Sequence, residues 1–516
     1  MSDFIGDLNN IIWSPPLVFL CIFAGVYFSI RSRFLQVRHF GHMIKLMFTG
    51  QSSESGVSSF QALAMSLAGR VGAGNIVGVA TAIAFGGPGA LFWMWTVAFL
   101  GASTSFVECT LGQIYKTKDQ ITGEYRGGPA YYLSQALKHT RASKAFKVYG
   151  LVFAAVTVVA CGVLMPGIQA NSMAESMHTA WPSVDKWVFG VATMLVLGFV
   201  IIGGVKRIAT FAAVVVPFMA ILYIGLALVV VAINYDQVPD TIRLVFSSAF
   251  GADAAFGAIL GSAIMWGVKR GIYSNEAGQG TGPHAAAAAE VSHPAKQGLV
   301  QAFAVYIDTL FVCSATGFLI LSTGAYRVYS NESPEGGVIR ESPLFDGVIA
   351  PHAAPGAPYV QVGFDTLWSG AGSSFVAISL AFFCFTTIVA YYYMAETNVR
   401  FLLGKAATTY VRPLRSTIGA DVTLLLQATI LIAVVYGAVT TPGQAWALGD
   451  IGVGAMAWLN IVGIFILQGP AFKCLRDYEA QKQMGLDPVF DPVKLNIKGA
   501  KFWETYQPKE KEEVVV

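Results

Sequence analysis

The run Ala68-Gly69-Arg70-Val71-Gly72-Ala73-Gly74-Asn75-Ile76-Val77-Gly78 lies inside an apolar stretch from Phe60 to Phe85. Its glycines, an arginine and an asparagine make a poor continuous helix. Opened backbone there exposes carbonyl oxygens that suit a small cation and helix-end amides that suit a carboxylate. In an apolar setting such backbone is tolerated only where protein or a hydrated cavity satisfies it. The spacing superficially matches a dinucleotide-binding loop, but no strand precedes it, so that reading is rejected.

A second run, Met265-Trp266-Gly267-Val268-Lys269-Arg270-Gly271, follows Gly257 and Gly261 and precedes the polar stretch Ser274-Asn275-Glu276-Ala277-Gly278-Gln279-Gly280. It predicts a second interrupted helix. Ionisable side chains inside apolar segments mark functional sites, and Arg70, Glu108 and Asp308 are the clearest. Arg270 and Glu276 flank one mouth of the second run, as a gate pair or as a helix-end ion pair.

These residues must be held by membrane spans. The chain has 516 residues, is 55% hydrophobic and only 12% charged, where a soluble domain carries roughly 25% charge. Mean hydropathy is +0.58. The apolar residues come in eleven blocks: 12–30, 60–85, 90–115, 148–173, 187–203, 210–233, 256–273, 298–321, 374–396, 422–439 and 451–467. Each is near the roughly 20 residues a helix needs to cross a bilayer. Asp3 and Asp7, with no basic segment before the first block, argue for a retained first span over a cleavable leader.

Counting the loops in order places 28 of the 33 lysines and arginines on one side, with the tail from Lys473. Basic loops face the cytoplasm, so the N-terminus is expected outside and the polar, mobile tail inside. The two interrupted blocks then open two sets of five with opposite topology, the pointer to a transporter's midplane site. The expected fold is an all-α polytopic membrane protein: residues 12–30 as an extra helix, 57–235 as a first repeat, 254–470 as its inverted counterpart, and 471–516 as a cytoplasmic tail. No HExxH or GxSxG pattern supports a membrane-embedded enzyme. A channel's repeated filter sequence and a pump's nucleotide loop are missing as well. The six cysteines have no metal spacing, and no covalent cofactor or nucleic-acid partner is expected.

The glycine-rich run ending Gly72-Ala73-Gly74-Asn75-Ile76, the stretch Gly86-Gly87-Pro88-Gly89-Ala90-Leu91-Phe92-Trp93-Met94-Trp95, and Arg270-Gly271 through Ser274-Asn275-Glu276-Ala277-Gly278 resemble the alanine or glycine:cation symporter family. Asp308-Thr309 and Phe385-Thr386-Thr387 are similar too, and the likeness runs to the tail. The resemblance implies a bacterial inner-membrane protein with the five-plus-five inverted repeat of the leucine-transporter type, broken in its first and sixth core helices. It implies import of alanine or glycine with sodium, with serine or glutamine as the alternative cargo.

By the same resemblance, the substrate carboxylate meets amides of Ala73, Gly74 and Asn75, and the amino group meets carbonyls around Met265, Trp266 and Gly267. Trp266 walls the pocket, and Gln169 and Asn171 face the substrate or serve as interhelical glue. Sodium is held by carbonyls of Ala68, Val71 and Phe383 with the hydroxyls of Thr386 and Thr387, unless those threonines only bond back to their own helix. A guanidinium facing that site would repel the ion. Arg70 is therefore expected to point away and pair with Asp308, Glu108 or free carbonyls of the break. The alternatives are that it snorkels to the cytoplasmic face or occupies a second cation position.

Overall fold

The computed structural model describes residues 2–48, 55–119, 122–201, 204–252, 256, 259–330, 337–341, 355–411 and 416–506. Gly257 and much of the stretch between residues 331 and 354 lie outside them. The described chain is dominated by helices: α1 (Pro15–Arg31), α2 (Ser59–Arg70), α3 (Val79–Gly86), α4 (Gly89–Ile114), α5 (Ser143–Val159), α6 (Met165–Ala180), α7 (Lys186–Ile201), α8 (Gly204–Ile233), α9 (Leu260–Asn275), α10 (Gly282–Ala288), α11 (Pro294–Val305), α12 (Ser314–Thr323), α13 (Ala371–Leu403), α14 (Ile418–Val439), α15 (Pro442–Gln483) and α16 (Lys501–Thr505).

Among the described residues, eight helical stretches are long and apolar enough to cross a bilayer, and the α2–α3 pair, bent by 53°, makes a ninth. The shorter α7 and α9 stand where the fifth and seventh spans are expected. Phe19, Leu195, Phe199, Phe218, Ile221 and Ile432 are exposed on the outside of the bundle. Such an apolar girdle needs lipid around it.

The helices pack in two groups. In one, α4 lies along α1, α9 and α11, while in the other α6 lies along α13 and α14. α2 bridges the groups by packing on α11 and α13. Ser58 and Gln61 form a reciprocal capping box that starts α2. π-helical turns at 74–78, 160–164 and 306–313 interrupt three of the spans, and such turns recur at functional sites.

Three expectations change. Lys269 and Arg270 lie within α9 and not in a loop, so 28 less these two leaves 26 basic residues on the crowded side. The tail is not mobile through Tyr506: α15 continues unbroken past residue 470, and the chain then folds back. Trp503 is buried and donates to the Gln113 carbonyl at 2.9 Å, and Ser292 donates to the Pro488 carbonyl at 2.8 Å. The ammonium of Lys116 lies 4.4, 4.7 and 5.2 Å from the rings of Tyr125, Phe502 and Trp503. Cation–π attraction thereby ties the end of α4 to α16.

The third change is the place of the second break. α9 runs without interruption through Met265, Trp266 and Gly267 and ends at Asn275. Gly267 and Gly271 serve packing: a Cβ on Gly267 would stand 2.5 Å from Cβ of Trp93, so the missing side chain lets α4 approach. The chain breaks instead at Glu276, which adopts a left-handed conformation at φ 57°, followed by Gly278 at 87° and Gly280 at 90°. Glycine tolerates such angles without strain, whereas glutamate does not.

Candidate functional site

The two breaks lie against each other. The first opens where α2 ends at Arg70, with Val71 extended, and resumes in the π turn at Gly74. A Cβ on Gly74 would stand 2.9 Å from Cδ1 of Tyr273 on the last turn of α9. Asn75 donates to the Ser274 hydroxyl at 2.9 Å and to Oδ1 of Asp308 at 2.6 Å. The second carboxylate oxygen of Asp308 accepts from Ser274 at 2.7 Å and from Thr309 at 2.8 Å. Asp308 is thus a fully buried anion held by three donors, pinning both breaks to the π turn of the eighth span.

On the opposite flank of the first break lie oxygens in surplus over protons. The hydroxyl oxygen of Thr387 stands 2.8 Å from the Ala68 carbonyl, 3.2 Å from that of Val71 and 2.9 Å from that of Phe383. A hydroxyl has one hydrogen to donate. Two of these three contacts therefore set oxygen against oxygen without a proton, which favours a cation in their midst. Thr386 donates to the Phe383 carbonyl at 2.9 Å. Hard oxygen donors of this kind suit an alkali ion, by extension from other hard cations. All five residues named from the sequence for sodium are buried here together.

The residues named for the amino acid divide. Oε1 of Gln169 accepts from the Ala73 amide at 2.9 Å and its Nε2 donates to the Tyr273 hydroxyl at 3.2 Å, so Gln169 sits at the break. The Gly72 amide donates to Oδ1 of Asn75 at 2.8 Å. Asn171 does not reach the break. It donates to the carbonyls of Gly437 at 3.0 Å and Thr440 at 2.8 Å, tying α6 to the end of α14. The carbonyls of Met265 and Gly267 belong to a regular helix. Trp266 packs on Phe85 with ring centroids 4.9 Å apart and carries the Arg270 guanidinium 4.9 Å above its ring.

The ion pairs also differ from expectation. Arg270 does not meet Glu276. It makes a two-pronged contact with Asp450 of α15 at 2.8 and 3.2 Å, and Lys269 joins the same carboxylate at 2.8 Å. Trp446 lies 4.2 Å from the guanidinium carbon. Asp450, Trp446 and Tyr273 escaped the sequence reading. Asp450 was the one most open to discovery, as a lone carboxylate near the start of the last apolar block.

Arg70 points away from the oxygen cluster, as repulsion demands, and is 1% exposed, which excludes snorkelling. It donates to the Gln301 carbonyl at 3.1 Å and the Ser105 hydroxyl at 3.3 Å, and its Nε lies 4.0 Å from Glu276. Its carboxylate partner is therefore Glu276, and not Asp308 or Glu108. Glu108 accepts from the Gly278 amide at 3.2 Å and from Asn460 at 2.7 Å, clamping the second break.

A broken helix pair with backbone oxygens gathered on one flank is a framework that suits a carrier. The sequence profile of the sodium:alanine symporter family matches residues 1–492. The chain belongs to that family. Among the relatives of this symporter, YrbD of Bacillus subtilis (strain 168) is 53% identical over 514 residues, all of both chains. A sodium/proton-dependent alanine carrier protein of Bacillus sp. (strain PS3) is 49% identical over 466 residues, 90% of this chain and 97% of that one. Among solved structures, a sodium-coupled sialic acid symporter is 12% identical, with 97% of this chain and 98% of that one covered and a TM-score of 0.48. Membership of the sodium:alanine symporter family makes the chain a multi-pass membrane transporter and not an enzyme.

Proposed function

We propose that the protein imports alanine, and glycine with it, together with sodium by alternating access across the bacterial inner membrane. The observation that carries this reading is the Thr387 hydroxyl facing three carbonyls with one proton to share, in a chain of the sodium:alanine symporter family. Sodium fills the cradle of Ala68, Val71, Phe383, Thr386 and Thr387.

The substrate carboxylate takes the place that Oε1 of Gln169 now holds at the Ala73 amide, with the amide of Gly74 and the side chain of Asn75 beside it. Gln169 then turns to the substrate's other end. Tyr273 and Trp446, whose rings are 5.2 Å apart, close over the amino acid, and Trp266 acts with Arg270 in that closure. Asn171 is a structural tie. Because the carboxylate and the ion cradle share one stretch of backbone, each orders the segment the other needs, and binding of one favours the other. The crowded basic side faces the cytoplasm, leaving the N-terminus outside. Labelling of a tail cysteine from outside intact cells would contradict this orientation.

The test is uptake of labelled alanine into proteoliposomes under an imposed sodium gradient, with glycine, serine and glutamine as competitors. Sodium-driven uptake blocked by glycine is expected. Transport that ignores the sodium gradient, or that glutamine blocks better than alanine does, would overturn the reading.

A further inference from the structure

Four buried charges surround the second break. Arg70 on α2, Glu108 on α4, Glu276 at the break and Asp308 on the π turn at 306–313 are within electrostatic reach of one another and have no more than 1% exposure. Three carboxylates face one guanidinium, so two negative charges are left over when all are ionised. Cys109, Cys161 and Tyr391 are further titratable groups near Glu276, with Cys109 and Tyr132 near Glu108 and Cys313 beside Asp308. Thiols and phenols carry no charge at neutral pH by their ordinary values.

Uncompensated charge at such depth is expensive. A zwitterionic amino acid adds no net charge, and one sodium in the Thr387 cradle cancels one of the two. One negative charge remains.

The hydrogen bonds indicate where it resides. Asp308 has three donors and Glu108 has two, and such hydrogen bonds favour the charged form of a carboxyl. Both oxygens of Glu276 and Nε of Arg70 are buried without a well-formed hydrogen bond, and the gap between the two groups is 4.0 Å. The Thr281 hydroxyl is close by, and Oε1 of Gln279 in the same turn also accepts nothing. A Cβ on Gly69 would stand 3.5 Å from both Glu276 oxygens. Glu276 therefore lies beside the first break, one residue along from the Ala68 carbonyl.

We propose that Glu276 is a second coupling site, which takes up a small monovalent cation, either a proton or a sodium ion, so that two positive charges cross with each amino acid. The proposal rests on the sodium–alanine reading and adds its stoichiometry. With the second cation bound, Glu276 is neutral, and Arg70 and the first sodium balance Glu108 and Asp308.

The experiment uses the full-length protein in proteoliposomes with equal sodium and equal pH on both sides. A potassium diffusion potential of about 60 mV, inside negative, sustains a tenfold gradient for each charge moved. Two charges per alanine should hold about a hundredfold alanine accumulation. A tenfold accumulation means one charge and overturns the proposal. Glu276→Gln, which imitates the neutral state, should bring the accumulation from about a hundredfold down to about tenfold while sodium still drives uptake. An unchanged hundredfold value in that variant overturns the place of the site.

Should Glu276→Gln insert poorly, the wild-type accumulation still decides the number of charges, and Glu276→Asp tests the place through a shifted dependence on the second cation. Radioactive sodium taken up per alanine separates the sources. Two sodium ions identify sodium at Glu276, and one sodium with lumenal acidification identifies a proton. If neither the potential nor a sodium gradient moves alanine, the symport reading falls and the proposal with it.

Discussion

The hydroxyl of Thr387 rests 2.8 Å from the carbonyl oxygen of Ala68, a residue 319 positions earlier in the chain. That contact joins α13 to the end of α2 across the two groups of helices, so an ion bound there is sensitive to their relative position. Alternating access needs such a sensor, because an ion can shift a conformational equilibrium only by binding one state better than the other.

Replacing Thr387 tests the cradle. Thr387→Val keeps the shape and removes the oxygen. Loss of an interaction with a charged partner is worth about 1.5–3 kcal/mol, so half-maximal sodium should rise by roughly one to two orders of magnitude, while Thr387→Ser stays near wild type. The check is the sodium dependence of alanine uptake. A valine variant with unaltered sodium dependence would remove Thr387 from the ion site.

Gly72 is predicted to accept no side chain. A Cβ there would stand 2.5 Å from Oγ1 of Thr387 and 2.8 Å from Oε1 of Gln169. Gly72→Ala must displace both the ion cradle and the residue that caps the Ala73 amide. Transport should be lost while membrane insertion is retained, as measured by uptake and by the amount of monodisperse protein after solubilisation. Gly225, whose Cβ would meet nothing within 4 Å, supplies the control substitution.

Asp450 pairs with two cations at once. Asp450→Ala leaves Arg270 and Lys269 buried beside aromatic rings without their carboxylate. Removing one partner of a buried pair costs about 3–5 kcal/mol. The thermal midpoint of the solubilised protein should fall by several degrees, and transport should weaken. Arg270→Lys should also be poorly tolerated, because an ammonium cannot reproduce the two-pronged, ring-stacked contact.

Arg70→Ala removes the sole cation among three buried carboxylates. Uptake should be abolished or badly weakened at every sodium concentration, with no recovery at high sodium. Wild-type-like uptake with unchanged sodium dependence would show that the buried pair with Glu276 has no part in transport.

Trp503 anchors the returning tail. Burying such a ring contributes about 3–5 kcal/mol when it is lost to alanine. Trp503→Ala should free the segment after residue 485 for proteolysis, read as a new cleavage product of the solubilised protein. An uncut tail would mean that the contacts of Lys116, Ser292 and Phe490 hold it without the tryptophan.

Composition and apolar blocks, by themselves, determined a helical membrane protein, and the Gly72–Asn75 run marked the first break, because in lipid the backbone has few ways to satisfy itself and a departure from them shows in residue type. The family likeness pointed to Ala68, Val71, Phe383, Thr386 and Thr387, and the structure brings the Thr387 hydroxyl against the carbonyls of Ala68, Val71 and Phe383. Tertiary structure decided the rest. Glycines at 257–271 signalled a break, whereas Gly267 and Gly271 serve close helix approach; a glycine in a span reads the same for either use, and only the neighbouring α4 tells them apart. The true break hid behind Glu276, a residue that rarely adopts positive φ. The pairings of Arg270 with Asp450, Arg70 with Glu276 and Asn171 with α14 were equally beyond reach, because a charge or amide in a span announces that it has a partner, but the partner stands on another helix whose rotation and depth are set by packing.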